Sequence, residues 1–181
     1  EGNFEGKTVL SIVAANIDPA VIAEAKQRLL EARSQRVRPG RDDKAVASWN
    51  GLAMRAFAEA ALVLEDQRYL EAAQRIAGFV TTDMRRSDGR LLRSRRDGVG
   101  AVPAFCEDYG AVVLGLLALN AGDGDDRWLR IALELGEDMV RLFAGPDGFF
   151  ATGADAEELI ARPLDLMDNP TPSGNSLAAE A

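Results

Sequence analysis

Gln67-Arg68-Tyr69-Leu70 returns 59 residues later as Asp126-Arg127-Trp128-Leu129. Gly51 and Gly110, Asp66 and Asp125, and Asp88-Gly89 and Asp147-Gly148 stand at the same 59-residue offset, as do Ile76 and Leu135, and Val80 and Met139. One gapless register over so many positions marks two copies of a single supersecondary unit, which must stack to bury a common core.

Each unit pairs two kinds of helix. Ala47 to Leu64 carries only Arg55 and Glu59 as charges and Tyr109 to Ala121 carries none, the pattern of helices buried nearly all round. Their successors are amphipathic. Leu70, Ala73, Ala77, Val80 and Met84 form one apolar stripe, and Trp128, Ala132, Leu135, Met139 and Leu142 form the other. Buried helix, amphipathic helix, Asp-Gly turn and short polar hairpin together predict a double ring of helices. The expected fold is all-α, part of an (α/α)6 toroid, with helical hairpins joined by short β-hairpins or loops.

A third unit opens at Ser173-Gly174-Asn175-Ser176-Leu177, which echoes Ser48-Trp49-Asn50-Gly51-Leu52 with an insertion in the loop before it. Residues 45–181 therefore hold about two and a half repeats. Residues 1–44 read as a linker segment with one helix over about 19–33, started by Asp18 and Pro19, and a short strand around Thr8 to Val13. The chain opens on Glu1 and closes in an unfinished helix, so continuation at both ends is expected.

Histidine is absent and Cys106 is the single cysteine, which removes an internal disulfide, CxxC redox chemistry and ordinary His/Cys zinc sites. No metal and no cofactor is expected, and proton transfer falls to carboxylates, Arg, Lys, Tyr or Ser. A net charge of −8 disfavours nucleic acid as a partner. The longest uncharged run, Tyr109 to Gly122, is short of the ~20 residues of a membrane span, so a cytoplasmic protein is expected.

In a double ring the loops entering the inner helices meet at one mouth. That gathers Asp42, Asp43, Ser48-Trp49-Asn50, Glu107-Asp108-Tyr109 and the segment Asp168 to Asn175. Glu107 and Asp108, heading an uncharged helix, serve either as a general acid and base or as an N-terminal cap. Asp42 and Asp43 carry the same two readings. Trp49 and Tyr109 form an aromatic platform for a sugar ring or pack in the core. Asn50, Ser173 and Asn175 bind ligand hydroxyls or cap their helices. Arg85, Arg86, Arg90, Arg93, Arg95 and Arg96 read as a solvated hairpin, or, in the alternative, as an arm that folds over the mouth so that Arg93 binds a substrate carboxylate or phosphate. Cys106 reads as a small buried apolar residue.

Gly2-Asn3-Phe4-Glu5-Gly6-Lys7, Asp42-Asp43-Lys44, Ser48-Trp49-Asn50-Gly51, Glu107-Asp108-Tyr109 and Thr171-Pro172-Ser173-Gly174-Asn175-Ser176 together resemble the YyaL-like family of spermatogenesis-associated protein 20. The resemblance implies an N-terminal thioredoxin-like domain as partner in the full-length protein. It also implies a six-hairpin toroid similar to N-acylglucosamine 2-epimerases and toroidal glycosidases, of which this chain is the first part. Members of the family commonly carry a histidine before Asp-Asp-Lys, where this sequence has Gly40-Arg41.

The function expected is that of a carbohydrate-active domain, epimerase-like or glycosidase-like. Glu107 or Asp108 would move protons while Trp49, Asn50, Arg93 and Asn175 hold the sugar. The alternative is a non-catalytic toroid that binds or scaffolds a peptide or partner protein.

Overall fold

The computed structural model describes residues 2, 4–11, 16–157 and 159–181, and divides into two units, Glu1–Asp42 and Asp43–Ala181. In the first unit, helix α1 spans Pro19–Ser34. The Asp18 carboxylate accepts a hydrogen bond from the Ala20 N–H at 2.9 Å, and Pro19 takes the first helical position, where a missing N–H is no loss. Phe4 and Lys7 exchange two backbone hydrogen bonds around a turn through Gly6, at φ 74°. Residues 8–11 show no strand, and Ile12 and Val13 of the expected strand lie outside the described residues, as does Asn3 of the Gly2 to Lys7 motif.

The second unit runs β1 (Ala45–Val46), α2 (Ala47–Leu64), α3 (Gln67–Thr82), β2 (Ser94–Arg95), α4 (Cys106–Asp123), α5 (Asp126–Phe143), β3 (Ala144–Gly145), β4 (Gly148–Phe149) and α6 (Gly174–Glu180). Helix α4 packs between α2 and α6, α3 lies on α2 and α4, and α5 lies on α4. One row of helices is thus covered by a second.

The repeated residues do the same job twice. Asp66 and Asp125 cap α3 and α5 by accepting the N–H of Arg68 and of Arg127, each at 3.0 Å. Gly89 and Gly148 take the turns at φ 87° and 140°, where a side chain would be strained. Gly51 lets α2 approach α4, and Gly110 lets α4 approach α6. A Cβ on Gly51 would stand 2.5 Å from the Ala111 carbonyl carbon, and one on Gly110 would stand 2.8 Å from Leu177 Cβ.

The core sits between the rows. Val112, Leu116 and Leu119 of α4 are fully enclosed, as are Ala73, Ala77 and Val80 of α3 and Leu135 of α5. Each large apolar side chain enclosed in this way contributes about 1.5–3 kcal/mol. The uncharged helix α4 is buried as its composition demands. Helix α2 is not, because an inner neighbour covers it only on the α4 side: Met54 and Ala58 are buried, while Trp49, Leu62, Val63 and Leu64 are exposed.

Short antiparallel pairings join the helices. β1 pairs with β2 in the register Ala45↔Arg95 and Val46↔Ser94, and β3 pairs with β4 in the register Ala144↔Phe149 and Gly145↔Gly148. The arm carrying β2 thereby lies beside the start of α2. No described helix is long and apolar enough to cross a membrane.

Candidate functional site

The starts of α2, α4 and α6 meet, as a converging mouth requires. The Ser48 N–H, in the first turn of α2, donates to Asp108 Oδ1 at 3.0 Å. Gly174, at the start of α6, lies against the Glu107 backbone N, 3.5 Å from where its Cβ would be. A cavity of about 270 Å³ opens at this junction, bounded by Arg93, Phe105, Glu107, Phe149, Asp165 and Asn175, with Cys106 and Gly174 behind them.

Arg93 organises one wall. Its Nη1 donates to Glu107 Oε1 at 2.7 Å and to Asp108 Oδ2 at 3.2 Å, and its guanidinium carbon lies 4.3 Å from the centre of the Phe105 ring. Partial burial favours loss of its proton, but the two carboxylates outweigh that and raise its pKa.

The two acids behave differently. Glu107 is about a third exposed, lines the cavity and uses Oε1 on Arg93. Asp108 is fully buried and does not line the cavity. It accepts the Phe105 N–H at 2.8 Å, capping its own helix, and the Ser48 N–H, capping α2. Burial pushes its carboxyl above the usual range, against the pull of the Phe105, Arg93 and Ser48 donors. One carboxylate thus caps two helices, which is a strut's geometry.

Asn175 and Ser173 are committed to the scaffold. Asn175 Nδ2 donates to the carbonyls of Phe149 and Asp165, and its Oδ1 accepts the Phe149 N–H. Ser173 caps α6 by accepting the Ser176 N–H at 3.1 Å, and its own N–H donates to Asp168 Oδ1. Asn50 Nδ2 donates back to the Val46 carbonyl at 2.8 Å.

Trp49 and Tyr109 are not brought together as a platform. Tyr109 is fully buried against Phe143, and its hydroxyl accepts from Arg90 Nη1 at 2.8 Å and the Leu91 N–H at 3.2 Å; Trp49 is 66% exposed. Asp42 ends the first unit and Asp43 opens the second, both exposed.

The arginine run is not uniformly solvated. Arg90 is buried. It pairs with Asp155 at 2.8 Å, donates to the Ala104 carbonyl and faces the rings of Tyr109 and Phe143. Arg85 is half-buried beside Glu134, whereas Arg86 and Arg96 do face water.

Phe149, Asp165 and Phe105 line the cavity but escape sequence reasoning. Asp165 lines the cavity and accepts the Gly174 N–H at 2.8 Å through Oδ2, capping α6. It sits in the insertion before the third unit, where the repeat offers no equivalent. Phe105, which stacks on Arg93, precedes α4, and its aromatic type was the available signal. Cys106 is buried with its thiol near the Gly174 carbonyl, and burial followed by the charges of Glu107, Asp165 and Asp108 pushes the thiol up to about 12.

No family model matches the chain. Human spermatogenesis-associated protein 20 is 33% identical over 165 residues, covering 84% of this chain and 21% of that protein. The mouse protein of the same name is 33% identical over 172 residues, covering 88% and 22%. The chain thus spans about a fifth of the length of these relatives. Among solved structures, cellobiose 2-epimerase from Spirochaeta thermophila superposes with a TM-score of 0.56 at 21% identity, over 74% of this chain and 35% of the epimerase. The GH76 α-mannanase of Bacteroides thetaiotaomicron gives 0.55 at 15% identity, over 74% and 42%. At these identities the likeness is one of fold, and it is the fold of α/α toroids.

Proposed function

We propose, from the premise that this chain is a homologue of spermatogenesis-associated protein 20 folded as part of an α/α toroid, that it carries one wall of a carbohydrate-active site. The observation behind the reading is the Glu107–Arg93 pair on the rim of a cavity walled by two phenylalanine rings. A carboxylate open to a cavity and held in place by a guanidinium is oriented to act on a bound molecule as a general base. Phe105 and Phe149 offer faces to the C–H surface of a sugar ring. Asp108 acts through Arg93 and the two helix starts, as a positioning residue. The reaction is epimerase-like or glycosidase-like, and the family resemblance supports a thioredoxin-like domain as the toroid's neighbour in the longer protein.

Turnover by the full-length protein tests this, with cellobiose and α-mannan oligosaccharides as first substrates, because the similar folds act on these. Glu107→Gln is expected to lower turnover by about 10²–10⁴-fold while leaving the fold intact. Unchanged sugar binding and turnover in that variant would remove Glu107 from the reaction.

A second reading, a non-catalytic toroid holding a peptide or partner protein, draws on Asp108, Asn50, Ser173 and Asn175 all being used in capping or cross-linking. A thermal-shift screen of the full-length protein against sugars and peptides separates the two, since each reading expects stabilisation by one class.

A further inference from the structure

We infer that Asn175 is a positioning residue of the cavity, holding Phe149 in its wall, so that its removal weakens sugar binding through that ring and not through a contact of its own. This rests on the carbohydrate reading above, and it gives Asn175 a different part from the ligand contact expected in the sequence.

The amide of Asn175 works as one residue of a β-strand. Its Nδ2 donates to the Phe149 carbonyl at 2.8 Å and its Oδ1 accepts the Phe149 N–H at 2.8 Å, so one side chain meets both backbone groups of one residue. The neighbouring Phe150 N–H points the other way, to the Phe143 carbonyl. In this two-stranded hairpin the outward edge of β4 is therefore closed at Phe149 by Asn175. Nδ2 also donates to the Asp165 carbonyl at 2.9 Å, tying in the loop that brings Asp165 to the cavity. Gly148 allows this approach, since a Cβ there would stand 2.7 Å from Asn175 Oδ1. With both N–H groups engaged, a lone pair of Oδ1 is all that the amide keeps for a ligand.

The repeat supplies an independent case. Tyr109 stands 59 residues after Asn50, which Asn175 echoes, and Arg90-Leu91 stands 59 residues before Phe149-Phe150. The Tyr109 hydroxyl accepts the Leu91 N–H and Arg90 Nη1, gripping the segment that leaves the first Asp-Gly turn as Asn175 grips the one that leaves the second. One helix position thus has the same task twice. Tyr109 is fully buried and holds a buried arginine, whereas Asn175 is shorter, partly exposed and holds a residue of the cavity wall.

Calorimetric titration of the full-length protein with cellobiose and with α-mannan oligosaccharides tests the inference. Each variant is compared with wild type at the same pH and well below its melting temperature. Asn175→Ala is expected to weaken sugar binding by about tenfold, as is Phe149→Ala, and the double variant should stay within about twofold of Phe149→Ala alone. Asn175→Asp makes a smaller change. It keeps an oxygen for the Phe149 N–H but sets a carboxylate against the carbonyls of Phe149 and Asp165, and at neutral pH should bind about tenfold less tightly than wild type. Those carbonyls favour the protonated carboxyl, which regains a donor, so affinity should return to within about threefold of wild type by about pH 5, with no such return in Asn175→Ala. Losses that multiply in the double variant mean that Asn175 touches the sugar itself, and overturn the inference. An unchanged affinity in Asn175→Ala, or an Asn175→Asp loss that acid does not reverse, overturns it too, and in each of these cases the carbohydrate reading stands. Failure of the wild-type protein to bind either sugar overturns that reading and the inference with it.

Discussion

Gly51 lies so close to Ala111 that a Cβ on the glycine would stand 2.5 Å from the alanine carbonyl carbon. Backbone cannot yield as a flexible side chain does, so Gly51→Ala must push α2 away from α4. The expected cost is about 1–3 kcal/mol of overpacking, set against a gain of about 1 kcal/mol in helix propensity. Gly78 of α3 has nothing within 4 Å of its built Cβ, and Gly78→Ala is expected to stabilise by about 0.5–1 kcal/mol. Urea denaturation of the two variants should show shifts of opposite sign, and a stabilising Gly51→Ala would contradict the close approach.

Neighbouring acids are expected to differ sharply in what their removal does to stability. Asp108→Ala strands the buried Ser48 N–H and the partly buried Phe105 N–H and takes a partner from Arg93, for a cost of about 3–5 kcal/mol. Glu107→Ala removes one partly exposed ion pair and should cost under about 1 kcal/mol. Equal losses in a melting experiment would show that Asp108 is no strut.

The legible part of this protein was whatever the repeat enforces twice. Gly51 and Gly110, the caps Asp66 and Asp125, and the turns at Gly89 and Gly148 all keep one role in both copies, so their spacing carried the fold. The site breaks the repeat and was harder to read. Periodicity places Glu107 and Asp108 at one helix start but cannot say that a single step round the helix separates a cavity wall from a buried strut. Asp165 arrives through an insertion, which by definition has no counterpart to compare. Arg90 resembled its solvated neighbours in sequence, and only the third dimension brings Asp155 and the Tyr109 hydroxyl to it.

Arg90 gives the acid limb of stability a testable origin. Its hydrogen bond to Asp155 holds that carboxyl below the usual range, so the folded pKa lies under the unfolded one. The contribution is present in full above the unfolded value, about 3.9, and fades as pH falls through the lower folded value. Asp155→Asn should therefore melt below wild type at pH 6, with the gap closing toward pH 3. A gap that widens with acid would reverse the assignment. Asp108 contributes with the opposite sign, its raised pKa costing stability as pH rises, and both proteins retain it.

Cys106 should be inert in the folded protein. With its thiol pushed up to about 12, the thiolate fraction at pH 8 is about one in ten thousand, and the residue is enclosed. Alkylation by iodoacetamide is expected to follow unfolding, becoming fast only in denaturant. Rapid native labelling would mean that the cavity wall opens.

Tyr109 separates packing from binding. Its hydroxyl accepts from the Leu91 N–H and from Arg90 inside the core, and its ring lies 5.4 Å from that of Phe143. Tyr109→Phe keeps the ring and removes the acceptor, leaving a buried N–H and one guanidinium donor without it, at about 1–3 kcal/mol. Because Tyr109 does not line the cavity, sugar affinity measured well below the melting temperature should stay within about twofold of wild type. Phe105→Ala makes the contrasting case. It strips a cavity wall and the surface on which Arg93 rests, so sugar affinity should fall by about tenfold or more even where the protein remains folded. If instead Tyr109→Phe weakened binding and Phe105→Ala did not, the aromatic contact of the site would have to be sought at the helix starts rather than in this cavity.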